Sequence, residues 1–127
     1  MRVTDPKATY SYIAEEDRKL PQEEQTFFML RRLTRREYAD LEDGLIEYRD
    51  SGVSTVRTGT KMIKALKAGL RGWSNLRNGN GQEVSFKAES TGEPSDETLD
   101  YLSQDISREL MFQILSGSRL SPDQIKN

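Results

Sequence analysis

Any chemistry in this chain has to come from carboxylates, amines, guanidiniums, amides and hydroxyls, because its 127 residues include no histidine and no cysteine. That removes the usual proton shuttle, the thiolate nucleophile, any disulfide frame and the commonest zinc ligands. The acid clusters Glu15-Glu16-Asp17 and Asp96-Glu97 come nearest to an acid/base or metal centre, yet each lies in a polar stretch with no second convergent group. Such clusters are solvated charge. Asn75, Asn78, Asn80 and Gly81 superficially match a calcium loop, but setting Gly81 at the loop's invariant glycine puts Leu76 at the first ligand position and Lys87 at the bidentate-glutamate position. The loop fails on both counts. The sequence therefore predicts no catalytic residue, no metal and no cofactor, and the function has to be sought in binding.

Three groups of residues could bind. At about 100° per residue on a helical wheel, Arg57, Lys61, Lys64, Lys67 and Arg71 fall on one side, opposite Met62, Ile63, Leu66, Leu70 and Trp73. This basic stripe sits in an acid-free interval from Ser51 to Gln82, in a chain of formal net charge -2. The overall charge argues against a general nucleic-acid binder, and no aromatic residues interleave on the basic side to stack bases. Lys61 and Lys64 are left as candidates for docking an acidic partner. Trp73, the only tryptophan, reads as a core residue first and a partner anchor second, and is expected to pack near Leu102, Ile106 and Leu110. The third group lies at the C-terminal end, where Phe112 and Leu115 stand off the main apolar stripe, and Leu120 and Ile125 follow in a segment that starts a helix. These four join Trp73, Lys61 and Lys64 as the candidate partner-binding residues, and self-association is compatible with the pattern.

The elements that must position these groups follow from periodicity and punctuation. Length and a single run of amphipathic elements predict one domain over residues 1–127, with 1–20 a partly extended arm and 118–127 a mobile segment. At 34% hydrophobic and 31% charged, the chain should fold with exposed charged helices and lean on a partner for some of its burial. Thr34 and Glu37 form a capping-box pair ahead of Tyr38, Leu41, Leu45 and Tyr48, which predicts a helix over 35–49. The basic helix is expected over 57–72, ended by Gly72 and the Asn78-Gly79-Asn80-Gly81 turn. Ser95 caps a long helix over 96–116 with the stripe Leu99, Leu102, Ile106, Leu110 and Ile114, and Ser116-Gly117 reads as its end. Short strands are expected near 9–13, at 25–31 and at 83–87, where Val84 and Phe86 alternate with polar residues. The expected fold class is thus mainly α within an α+β arrangement, with three principal helices around a single core. No window has the length of a membrane span and the N-terminus lacks an apolar signal core, so a cytoplasmic location is expected.

Several ordered features also resemble a known family. Asp17-Arg18, Gln25-Thr26-Phe27, Leu33-Thr34, the segment Gly69-Leu70-Arg71-Gly72-Trp73-Ser74-Asn75, a glycine turn into Val84 and Phe86, Glu109-Leu110, Leu120-Ser121 and Lys126-Asn127 resemble tail assembly chaperones of long-tailed bacteriophages and prophages. The resemblance covers most of the chain, and its most distinctive piece is the Gly-Leu-x-Gly-Trp-x-Asn segment. Members often carry aspartates where Asn78 and Asn80 stand here. The resemblance implies a non-enzymatic role in the host cytoplasm, in which the protein coats the tape-measure protein, helps recruit tail-tube subunits and is absent from the mature virion. It also implies, for many members, a longer frameshifted product. The alternatives are a structural head-tail or tail component, or a DNA-binding regulator using the helix 57–71.

Overall fold

The structure is a computed structural model that describes residues 1, 8–41 and 58–119. Strand β1 (Thr9–Ile13) is followed by two single 3-10 turns (Glu15–Asp17 and Gln22–Glu24) and by strand β2 (Phe27–Arg31). Helix α1 begins at residue 35 and is described to residue 41. Helix α2 (Thr58–Gly69) runs straight into strand β3 (Leu70–Ser74), and after a long loop come the single turn α3 (Asp96–Leu99) and the long helix α4 (Gln104–Arg119). The strands form one antiparallel sheet in the order β1-β2-β3. Alternation along β2 turns Phe28 and Leu30 inward, and α2 packs against α4 and against β2 and β3 over that face.

An expected mainly α fold is therefore corrected to an α+β one, built on a three-stranded antiparallel sheet. The boundary errors share a cause in packing that is not local. The basic helix stops at Gly69 instead of 72, and the next five residues are β3. Leu70 and Trp73 are both buried, a spacing of three that reads as helical. In the sheet, Leu70 pairs with Leu30 and Gly72 with Met29, so Arg71 is an extra residue in β3. This bulge re-phases the strand and lets two residues three apart share one face. The strand expected at 83–87 is absent. Arg77 bridges Glu83 and Ala88 bridges Pro94 only as isolated pairs, and Val84 and Phe86 turn inward from irregular chain. The long helix expected over 96–116 is two helices, because Ser103 interrupts it: its hydroxyl accepts from the Ile106 amide at 3.2 Å and caps α4. Gly117 does not end that helix, which continues to Arg119. A Cβ at residue 117 would lie 2.7 Å from the Tyr10 hydroxyl, so this glycine serves the packing of β1 on α4.

Local signals held where both partners are close in sequence. Thr34 Oγ1 accepts from the Glu37 amide at 3.2 Å and Glu37 Oε1 accepts from the Thr34 amide at 2.8 Å, a complete capping box. The remainder of the helix expected over 35–49 lies outside the described residues, as do the segment 120–127 and residues 2–7 of the N-terminal arm. The other Glu37 oxygen accepts from Arg31 at 2.6 Å and ties α1 to β2. Burial pushes the Glu37 carboxyl up, but hydrogen bonds from Arg31 and Thr34 outweigh it and hold the group below its ordinary value. A depressed carboxyl stabilises the fold above its unfolded pKa of about 4.3 and loses that contribution as pH falls through the folded value. Glu37→Gln should accordingly lower the urea midpoint at pH 7, and its deficit should shrink on acidification below about pH 4. A deficit constant with pH would mean that charge is not the source.

The buried side chains form a single cluster, with Leu30, Leu70, Leu110 and Ile114 fully out of solvent and Phe28, Leu66 and Trp73 beside them. The loop between β3 and α3 is fastened to it by Thr98, which is fully buried. The Thr98 hydroxyl donates to the Lys87 carbonyl at 2.8 Å and accepts from the Lys87 amide at 3.2 Å, so one side chain satisfies both backbone groups of a strandless segment.

Candidate functional site

The distinctive Gly69 to Asn75 segment is where α2 becomes β3, and its marked residues other than Gly72, where a Cβ would make only ordinary contact with Met29, each have a structural reason. Gly69 lies against Ile114 of α4. Leu70 is fully buried, and Trp73 meets Phe28 and Phe86 edge-on while its indole N–H donates to the Val84 carbonyl at 2.7 Å. Asn75 takes a left-handed backbone conformation, with φ of 62°, which asparagine tolerates better than most residues. Its amide donates to the carbonyls of Glu23 and Gln25 at 2.9 and 3.0 Å, and its own carbonyl accepts from the Thr26 hydroxyl at 3.0 Å. These residues hold the sheet to the β1–β2 connection.

The basic stripe is partly spent inside the fold. Lys67 pairs with Asp96 at 2.7 Å, and this contact raises its pKa. Arg71 folds back on the Lys67 and Leu70 carbonyls at 2.8 and 3.0 Å, and burial, then the nearby Arg31, push it below its ordinary value. Lys64 is exposed and Lys61 half-buried. The Arg57 end of the stripe lies outside the described residues.

The candidate partner-binding residues are scattered by the fold. Trp73 and Leu115 lie in the core, at 9% and 8% exposure, whereas Phe112 is 59% exposed. Arg108 and Ser116, one turn away on either side of Phe112, are also exposed, so the ring stands on the outer face of α4. Leu120 and Ile125 lie outside the described residues.

Sequence reasoning missed a cleft between α2 and the α3–α4 corner. It has a volume of about 550 Å³, with Met62, Ile63, Leu66, Leu99 and Leu102 as its apolar lining and Asp96 and Asp100 at its polar edge. Ile63, at 47% exposure, is one of the large apolar side chains left in solvent. The signal was present in Gly59, Met62, Ile63 and Leu66, spaced i, i+3, i+4 and i+7, a helix-packing seam wider than the core it has to meet. A second, smaller hollow of about 340 Å³ lies between the first 3-10 turn and the Leu76-Arg77 stretch. Glu16, Asp17 and Glu24 are among its lining, and Asp17 is already committed to the Thr26 amide at 2.9 Å.

One polar cluster crosses from β1 to α4. Tyr12 donates to Glu109 Oε2 at 2.6 Å, the same oxygen accepts from the Glu15 amide at 3.0 Å, and the Arg18 guanidinium lies 5.6 Å from the Tyr12 ring centre. Burial, and then the Glu109 carboxylate, push the Tyr12 hydroxyl up to about 12. A raised value stabilises the fold below the unfolded pKa of about 10 and is lost as pH rises through the folded one. Spectrophotometric titration should show a tyrosine ionising near pH 12 that is missing in Tyr12→Phe. Its persistence in that variant would break the assignment. Among the described residues, no group of three or more acidic side chains is placed to hold a metal ion, and no helix is long and apolar enough to cross a membrane. Comparison with models of known protein families, with curated proteins and with solved structures finds no match.

Proposed function

We propose that this chain is a non-enzymatic tail assembly chaperone of a long-tailed bacteriophage or prophage, binding the tape-measure protein and helping to recruit tail-tube subunits in the host cytoplasm. The sequence resemblance centred on Gly69 to Asn75 supports this reading. The structural observation that carries it furthest is Phe112, an aromatic ring 59% exposed on the outer face of α4 while the core beneath is closed. A large ring kept in water on a helix face suits a protein that covers another chain's apolar surface and then lets it go. A tape-measure protein exposes long apolar helical stripes until tube subunits enclose it, and a small charged domain can shield them reversibly.

The test is co-expression with the tape-measure protein encoded beside this chain's gene. The proposal expects the tape-measure protein to remain in the soluble fraction and co-purify, and Phe112→Ser to weaken that association without changing the melt. Retention of this chain in purified, tape-measure-filled particles would instead mark a structural tail component. Insoluble tape-measure protein in the presence of excess folded partner would overturn the reading.

A further inference from the structure

We propose that the cleft between α2 and the α3–α4 corner is a docking groove for an amphipathic helix of a partner that carries basic residues beside its apolar stripe. Three properties of the groove select that occupant. The apolar part of its lining is aliphatic, from Met62, Ile63 and Leu66 on one wall and Leu99 and Leu102 on the other, with Ile63 47% exposed and with Gln104 and Ser107 adding polar groups beside the two aspartates. An aliphatic trough between two helical walls is the shape in which an inserted helix buries residues spaced i, i+3, i+4 and i+7. Gly59 lies at one end, and a Cβ placed there meets nothing within 4 Å, so a helix backbone can approach. A volume of about 550 Å³, comparable to that of small-molecule pockets, leaves room for a few inserted side chains.

Charge decides which helix enters. From Glu93 to Asp105 the chain carries five carboxylates and no lysine or arginine. Two of these, Asp96 and Asp100, edge the groove, and both are exposed. Lys67 neutralises Asp96 at 2.7 Å, and among the described residues no ion pair compensates Asp100. An acidic helix or a nucleic-acid phosphate would be repelled there, whereas lysines or arginines flanking an apolar stripe meet opposite charge as the stripe enters. The groove goes beyond the phage reading, since it fits any helical partner of that chemistry.

The experiment uses the full chain with methyl groups labelled for NMR, and as probe a synthetic helical peptide with leucines at i, i+3, i+4 and i+7 flanked by lysines. A twin peptide carries glutamates in place of the lysines. The proposal expects the lysine peptide to shift Met62, Ile63, Leu66, Leu99 and Leu102 selectively and the glutamate twin to leave them unmoved. Ile63→Asp should weaken the lysine peptide about tenfold or more through loss of an apolar anchor. Asp100→Lys should weaken it about threefold, an effect that fades in high salt. Since Ile63 and Asp100 are outside the core, unchanged melts verify both folds. Equal binding of the two peptides, shifts confined to other residues, or no binding up to the peptide's solubility limit would each overturn the proposal. So would contacts at Ile63 from elsewhere in the same chain or from a second copy, because the groove would then already be filled.

Discussion

Trp73→Ala is expected to cost about 3 to 5 kcal/mol of folding free energy, a large share of the roughly 5 to 15 kcal/mol available to a domain of this kind. Two losses combine. Removing the indole leaves a cavity between Phe28, 6.4 Å away with ring planes at 84°, and Phe86, 5.1 Å away at 86°. It also orphans the Val84 carbonyl, which accepts from the indole N–H at 2.7 Å. Trp73→Phe separates the two, since it keeps an aromatic ring and removes the donor; it should cost less than the alanine variant but not be neutral. Because Phe86 has no strand ladder to hold it, its position depends on Trp73. Phe86→Ala should therefore cost markedly less in a Trp73→Ala background than in the parent, a coupling that urea titrations of the four proteins would measure. If Trp73→Ala unfolds within about 1 kcal/mol of the parent, the tryptophan is not the link between sheet and loop that the geometry describes.

That link also explains which parts of the fold could be read from sequence. The strand at Thr9–Ile13, the capping box of Thr34 with Glu37 and the Ser95 cap were legible because cause and effect lie within a few residues. The end of α2 was not. Leu70 and Trp73 keep helical spacing, and only pairing with Leu30 and Phe28, about forty residues back in the chain, turns that segment into a bulged strand. The break between α3 and α4 was hidden by the same ambiguity, since Leu99, Leu102 and Ile106 stay in helical register across it, and Ser103 was its one local sign. Gly117 was misread as a cap because its real constraint, the Tyr10 hydroxyl, sits at the other end of the chain. One wall of the cleft was legible as an apolar face of α2, but the cleft itself was not. Its two walls come from α2 and from the α3–α4 corner, and periodicity says which face of a helix is apolar but not whether another element covers it.

The second large effect is expected at Gly69, where two physical terms oppose each other and the structure says which wins. Replacing a helical glycine by alanine normally favours the helix by roughly 0.8 to 1 kcal/mol. A Cβ at residue 69, however, would lie 2.6 Å from Ile114 Cγ2 and 2.8 Å from Cγ1 and Cδ1, distances that packed carbons do not tolerate. Ile114 is fully buried, and its branch at Cβ stiffens the side chain, so it has neither space nor an easy rotamer for retreat. Overpacking of that kind costs about 1 to 3 kcal/mol, enough to cancel the helix gain and reverse the sign. Gly59→Ala is the matched control, because a Cβ there meets nothing within 4 Å. The expected outcome is a raised urea midpoint for Gly59→Ala and a lowered one for Gly69→Ala. Ile114→Val removes Cδ1, one of the three crowding atoms, and should make Gly69→Ala less costly than it is in the parent. Equal gains at both glycines would show that α2 and α4 are not in the close approach described, and would leave the most distinctive segment of this sequence without its packing explanation.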